Sequence, residues 1–339
     1  MHVDVMTGPM PLPRIQDLAR EVQRAGIAGL VVTEAGRSAY LSCAAAALAA
    51  PGLDLATGIA VAFPRSPMVT AQVAWELAEA SGGHFRLGLG TQVRAHIERR
   101  YAATFSPPGP RLEEYVRAVR AIFRAFAGEE ALAFEGEHWN LSLLPAQWAP
   151  GGIDVPPPAI DVAAVNPWML RMAGRVADGV HVHPLNSVTY LRETALPEIA
   201  AGAAQVGRDA SDIQLIVPCF TVVGDTDEEQ ARWRERARAQ VSFYGSTPNY
   251  AFIFEQLGFE GTTEKVRERQ KAGDVAGMAA VITDDILEHF VVTSDWSGAA
   301  AAIAKRYDGI AARVVLYFAA SDRDALARWG DVAKAIAAG

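Results

Sequence analysis

Residues 158–177 read PAIDVAAVNPWMLRMAGRVA. The apolar run Ala159–Ala163 reads as a strand, Ala164-Val165 as a small-residue turn, and Asn166-Pro167 as the start of a helix. Asn is a strong N-cap because its side-chain oxygen accepts from an orphan helix N–H. Pro suits the first helical position, where it has no N–H to leave unpaired. Met169, Leu170, Met172, Ala173 and Val176 then supply an apolar face at helical spacing. Free N–H groups and the dipole at such a helix start favour an anion such as phosphate. The small residues Ala163 and Ala164 would let a ligand approach the backbone. An ordinary strand-to-helix turn has the same local pattern, so the rest of the chain must decide.

Working outward, strand-like and helix-like stretches alternate. The pattern predicts strands at His2–Met6, Gly29–Thr33, Asp54–Val61, Phe85–Leu89, Ala159–Ala163, Gly179–His183, Ile213–Val223 and Ala311–Phe318. Between and after them, helical periodicity runs through 13–25, 39–50, 67–81, 112–127, the stretch after Pro167, 188–206 with an interruption at Pro197, 227–242, 298–307 and 323–338. Two excursions break the alternation, at about 129–157 with a hairpin near Glu135-Gly136, and at about 247–290, mostly helical. Eight strands separated by helices predict a single-domain (β/α)8 TIM barrel with insertions over 1–339. An open doubly wound sheet is the alternative, but no Gly-x-Gly-x-x-Gly follows the first strand.

Composition narrows the class. The 339 residues are 50% hydrophobic with a formal net charge of −8, enough for a large core and ill-suited to nucleic acid. Two cysteines, Cys43 and Cys219, are too few for a disulfide framework or a cysteine metal site. The opening HVDVMTG has no basic n-region, and the Ala-rich run 43–50 is too short to span a bilayer. A cytoplasmic protein with no membrane or nucleic-acid partner is the expectation.

Barrel sites lie at the C-terminal ends of the strands. That rule selects Thr33–Arg37, where Glu34 could accept from a cofactor and Arg37 could hold an anion or a carbonyl. It selects Gly88–Gln92, where glycines allow close approach and Thr91 and Gln92 could bond a ring system. It selects His96, in RAHIERRYAATF, as a candidate acid or base. His181 and His183 alternate on one strand and face one side. With no third ligand at suitable spacing, they suit pocket lining or a hydrogen bond to a cofactor phosphate better than metal. No Gly-x-Ser-x-Gly elbow, His-Glu-x-x-His or P-loop is present.

At these residues the chain resembles a known family. ASGGHFRLGLGTQ, GIAVAFPRSPMVTAQVAWEL and AAVNPWMLRMAGRVADGVHVHP are similar to segments of bacterial luciferase-like oxidoreductases. HIERRY, FYGSTPNY and RYDGIAARVVLYF are similar to the subgroup that uses coenzyme F420, a deazaflavin. The resemblance runs from about His2 to Phe318. It implies a barrel with the ring over the strand mouths, ring contacts at Thr33, Glu34, Ile59, Ala60, Val61, Gly90, Thr91 and Gln92, and a non-prolyl cis peptide near Ile59–Val61. It places phosphate contacts at Ala163, Ala164, Val165 and Asn166, with His181 as a further cofactor contact, and it implies a homodimer.

The chain also departs from that family. The His usual after the second strand is absent, and Gly36-Arg37-Ser38 stands there; Gln92-Val93 replaces a Glu found in some relatives. Acid/base candidates are therefore Arg37, His96 and Tyr244, with Trp139, Trp148, Tyr244 and Phe252 walling the substrate side. Arg37, Arg94, Arg99 and Arg100 would offset the net negative charge near an anionic cofactor. The expected function is hydride transfer between coenzyme F420 and a small organic substrate. The alternatives are an FMN-dependent monooxygenase using O2 and a degenerate, non-catalytic cofactor-binding barrel.

Overall fold

The computed structural model describes Met1–Gly339. Eight parallel strands close into a barrel: β1 His2–Thr7, β2 Gly29–Val32, β3 Asp54–Thr57, β4 Phe85–Gly90, β5 Ala159–Ala164, β6 Gly179–Val182, β7 Gln214–Val223 and β8 Arg313–Leu316. Val5 of β1 pairs with Leu30 of β2 and with Leu316 of β8, and Gln214 of β7 pairs with Gly179 of β6 to close the ring. The outer layer is Leu12–Ala25, Ala39–Ala49, Pro67–Ala80, Pro108–Phe126, Pro167–Val176, Leu196–Ala204, Ala299–Tyr307 and Leu326–Ala338. These helices bury Leu, Ile and Val rows against the strands, as in Ile15, Leu18 and Val22 of the first. The (β/α)8 barrel expected from the alternation is the observed fold. No helix is long and apolar enough to cross a membrane.

Three places differ from the sequence pattern. The third strand is split: β3 stops at Thr57, and Ala60–Val61 pairs with β4 alone, Ala60 to Leu89 and Val61 to Gly90. The Gly58-Ile59 peptide between the halves is cis. The interruption expected at Pro197 falls just before it. The chain turns helical at Val188–Tyr190, widens into a π turn over Leu191–Ala195 and resumes at Leu196–Ala204, with Pro197 in the first turn of that last segment. The wide turn leaves room for the proline ring, which would clash with the carbonyl four residues earlier in a regular helix.

β7 rises above the rim, and a short strand, Val291–Ser294, pairs with its upper half, Phe220 to Val291 through Val223 to Ser294. Four residues ending Thr-Ser gave too little pattern to separate from the preceding excursion. The helix Asp227–Gly245 packs both on β7 and on the helices of the excursion at about 247–290. Arg238 ties the helix to Asp284 at 2.6 Å, and the Tyr244 hydroxyl reaches Tyr317 just beyond β8 at 2.7 Å. The resulting module sits over the mouth at β6–β8. In the first excursion the hairpin Phe134–Glu135/Asn140–Leu141 is present. Glu114 of the Pro108–Phe126 helix anchors it by accepting from the N–H groups of His138 (2.8 Å) and Trp139 (2.9 Å).

The N-terminal end of the barrel axis is filled by charge. Arg313 donates Nε to Asp4 Oδ2 and Nη2 to Asp4 Oδ1, both at 2.7 Å, and Nη2 also reaches Asp54 Oδ2 at 2.7 Å. Arg86 holds Asp161 bidentately at 2.8 and 2.6 Å. Asp4, Asp161 and Arg313 are buried. Removing one partner from a buried pair strands the other charge. Arg313→Ala is therefore expected to lose about 3–5 kcal/mol in urea unfolding, whereas a double variant Asp4→Leu, Arg313→Met loses much less. A single variant that loses under about 1 kcal/mol would show that these pairs do not hold the barrel floor.

Candidate functional site at the barrel mouth

Above the charged floor, small residues take over. A Cβ on Gly88 would lie 1.9 Å from the Thr57 carbonyl oxygen and 2.7 Å from His181 Nε2, so only glycine fits beside this imidazole. A Cβ on Gly90 would meet Ile59 Cδ1 at 2.6 Å and Ala163 Cβ at 3.6 Å. The Ile59 side chain therefore packs over the buried Gly90, and the half-buried Ile59 and Ala163 form a low apolar surface at the mouth. His181 is buried beneath it, its Nε2 has no hydrogen-bond partner, and Asp161 Oδ2 lies 3.7 Å away. Burial pulls the His181 pKa down, against the attraction of Asp161, so the ring is neutral.

The loop after β2 is braced from the side. Glu34 Oε2 accepts from the Val61 N–H at 2.7 Å and from Arg65 Nη1 at 2.9 Å, and Oε1 accepts from Arg65 Nη2 at 2.6 Å. Arg65 Nη1 also donates to the Val61 carbonyl at 2.9 Å. The ion pair therefore brackets both backbone polar groups of Val61. The Glu34 oxygens, read as possible acceptors for a cofactor, accept here from Val61 and from Arg65, which the sequence reading did not single out. Thr33 donates its hydroxyl to the Thr7 carbonyl at 3.2 Å. Thr91 and Gln92 are half-buried at the end of β4. Gln92 sits at φ 56°, a strained region for a residue with a side chain, and its Oε1 accepts from the Val93 N–H at 2.9 Å.

The stretch 158–177 folds as read. Asn166 Oδ1 accepts from the Met169 N–H at 3.0 Å, and Pro167 opens the helix. The N–H groups of Val165, Asn166 and Trp168 find no acceptor within the chain. The buried Tyr190 hydroxyl donates to the Val165 carbonyl at 2.7 Å and fixes the loop from behind. Three unpaired N–H groups thus stand at one helix start, beside Ala163 and the low surface at Gly90.

The three acid/base candidates do not share a hydrogen-bonded cluster. Arg37 and His96 are exposed and make no side-chain hydrogen bond. His96 lies on a short helix, Arg94–Arg99, where Arg94 is engaged with Glu98 at 2.9 Å, and Arg100 donates to the Ala35 carbonyl. Tyr244 is on the opposite rim, against Tyr317 and the ring of His183. His183 is half-buried between Tyr244 (4.7 Å) and Tyr250 (4.2 Å), and burial pushes its pKa down to about 3. Trp148 is 69% exposed and walls nothing, because its loop turns outward; Trp139 packs edge-on against Tyr115 at 5.2 Å. Phe252 lies 6.0 Å from Tyr190. No group of three His, Cys, Asp or Glu side chains is placed to hold a metal ion.

The family model described as luciferase-like monooxygenase matches residues 1–313. The chain belongs to that family. An uncharacterised protein of Mycobacterium tuberculosis is 36% identical to this luciferase-like chain over 318 residues, covering 94% of each. A 5,10-methylenetetrahydromethanopterin reductase of Methanolobus tindarius is 25% identical over 288 residues, covering 83% of each. Among solved structures, the coenzyme F420 dependent tetrahydromethanopterin reductase of Methanopyrus kandleri superposes with a TM-score of 0.77 at 19% identity, over 97% of both chains. That last likeness speaks to the fold.

Two outcomes follow for the mouth of this luciferase-like barrel. Glu34→Ala leaves Arg65 and the Val61 N–H unpaired and is expected to cost about 3 kcal/mol in denaturant unfolding, with Glu34→Gln milder because an amide oxygen still serves Val61. Equal losses in the two variants would show that the Val61 contact is immaterial. His181 and His183 both lie below the ordinary imidazole value of 6.5 in the folded chain, His183 at about 3. The unfolded chain therefore binds more protons below pH 6.5, and stability falls as pH drops from there toward 3. Replacing His183 with Gln is expected to reduce that fall, measured as unfolding free energy at about pH 5 against pH 7; an unchanged fall would contradict a neutral His183.

Proposed function

We propose that this chain is an oxidoreductase that moves a hydride between coenzyme F420 and a small organic substrate. The observation that carries the reading is the pairing of two features at the mouth. Three unpaired backbone N–H groups at Val165, Asn166 and Trp168 suit a phosphate. Next to them, Ile59, packed over the buried Gly90, and Ala163 leave a low apolar surface on which a flat ring could rest. The buried, unpartnered His181 Nε2 is a polar atom beneath that surface. Reductases among the relatives, and the F420-dependent reductase of the same fold, support this choice of cofactor.

The deazaflavin would supply the hydride chemistry, and the protein would supply binding, orientation and exclusion of water. Val165, Asn166 and Trp168 would hold the phosphate, aided by the helix dipole. The Glu34–Arg65 pair fixes Val61 and with it the edge of the ring surface. Arg37, Arg99 and His96 stand exposed on the β2–β4 rim, where they suit the anionic periphery of the cofactor better than the reacting atoms. Tyr244, held at the β6–β8 rim by its bond to Tyr317, is the acid/base candidate placed on the substrate side.

Parallel fluorescence titrations with F420 and FMN test this reading. F420 is expected to bind at least tenfold more tightly than FMN, and Arg99→Ala, Arg100→Ala to weaken F420 binding. A preference for FMN would move the function to a flavin monooxygenase, and binding of neither would remove the enzyme reading.

A further inference from the structure

His183 lies just past the end of β6, and its segment is held rigidly. Asn186 Nδ2 donates to the His183 carbonyl at 3.0 Å and to the Pro218 carbonyl on β7 at 3.0 Å. The Leu185 N–H donates to His183 Nδ1 at 3.1 Å. A ring nitrogen that accepts carries no proton, so the neutral imidazole holds its hydrogen on Nε2. Nε2 makes no bond within the chain and is not among the buried unpartnered atoms, so it keeps access to solvent. The ring itself is clamped between Tyr244 at 4.7 Å and Tyr250 at 4.2 Å.

The side chains packed on this ring are uncharged. Its neighbours are the phenols of Tyr244 and Tyr250, with Tyr317 bonded to Tyr244. The nearby cation Arg236 is engaged with Phe318 at 4.8 Å and Trp233 at 5.4 Å. Phosphate and carboxylate recognition calls for cations or several converging N–H groups. Here one neutral N–H donor sits between the aromatic rings of Tyr244 and Tyr250.

We propose that His183 is a fixed, uncharged Nε2–H donor at the substrate end of the mouth, and that it selects an uncharged acceptor, a carbonyl, hydroxyl or imine, over a phosphate or carboxylate. The inference rests on the oxidoreductase reading for its location of substrate, but its geometry does not. The substrate would therefore be a neutral carbonyl or alcohol, or an imine, presented between the low ring surface at Gly90 and the Tyr244–Tyr250 wall. The donor would hold that acceptor atom in place without itself changing protonation.

The test uses 15N-histidine-labelled full-length protein without cofactor, so its result stands apart from that of the F420 titration. The His183 ring resonances are assigned by their loss in His183→Gln. The expected result is a proton on Nε2, a bare Nδ1, and no titration between pH 5 and 9. Cyclohexanone at about 50 mM is expected to shift the Nε2 resonance, and inorganic phosphate at the same concentration to leave it unmoved. A proton on Nδ1, a ring that titrates in that range, a shift with phosphate, or indifference to cyclohexanone would each overturn the proposal.

Discussion

Eight tilted strands close around an axis that must be filled, and here it is filled in two different ways. At the N-terminal end, Asp4, Arg86, Asp161 and Arg313 fill it with bidentate ion pairs. Such pairs stabilise only while every partner is present. Because the floor is closed by long charged side chains, the upper axis can carry small ones: Gly88, Gly90 and Ala163, with His181 fitted between glycines.

Around that opening the backbone is held by side chains rather than by the sheet. Val61 has its two polar groups bracketed by Glu34 and Arg65, and Val165 has its carbonyl held by Tyr190. These bonds supplement the ladder at the rim, where Ala60–Val61 pairs with β4 alone. Rigid support of this kind is what a site needs if its N–H groups are to meet a ligand in a preset arrangement. The module from Asp227 to Phe290 completes the opposite wall, bringing Tyr244 and Tyr250 against His183.

Much of this was legible in the sequence. Short apolar runs separated by amphipathic helices gave the barrel, and Asn166-Pro167 gave the helix start with its cap. The resemblance to luciferase-like proteins agreed with the family match. What was hidden shares one cause: it depends on contacts between residues far apart in the chain. Glu34 looks free until Arg65 folds back on it. Arg313 and Asp4 are 309 residues apart and give no local signal of pairing. Val291–Ser294 is too short for its period to show, and it exists only because β7 overshoots the rim. Trp148 looked like a wall because aromatic residues usually bury, yet nothing packs over it.

The central claim is that the helix start at Asn166-Pro167 and the low surface at Gly90 form one cofactor site. The most direct measurement is a crystal structure of the protein soaked with F420. The account predicts phosphate oxygens within hydrogen-bond distance of the N–H groups at Val165, Asn166 and Trp168, and the ring lying over Ile59, Gly90 and Ala163. A phosphate held instead by the Arg94–Arg100 segment, or a ring outside the mouth, would contradict it.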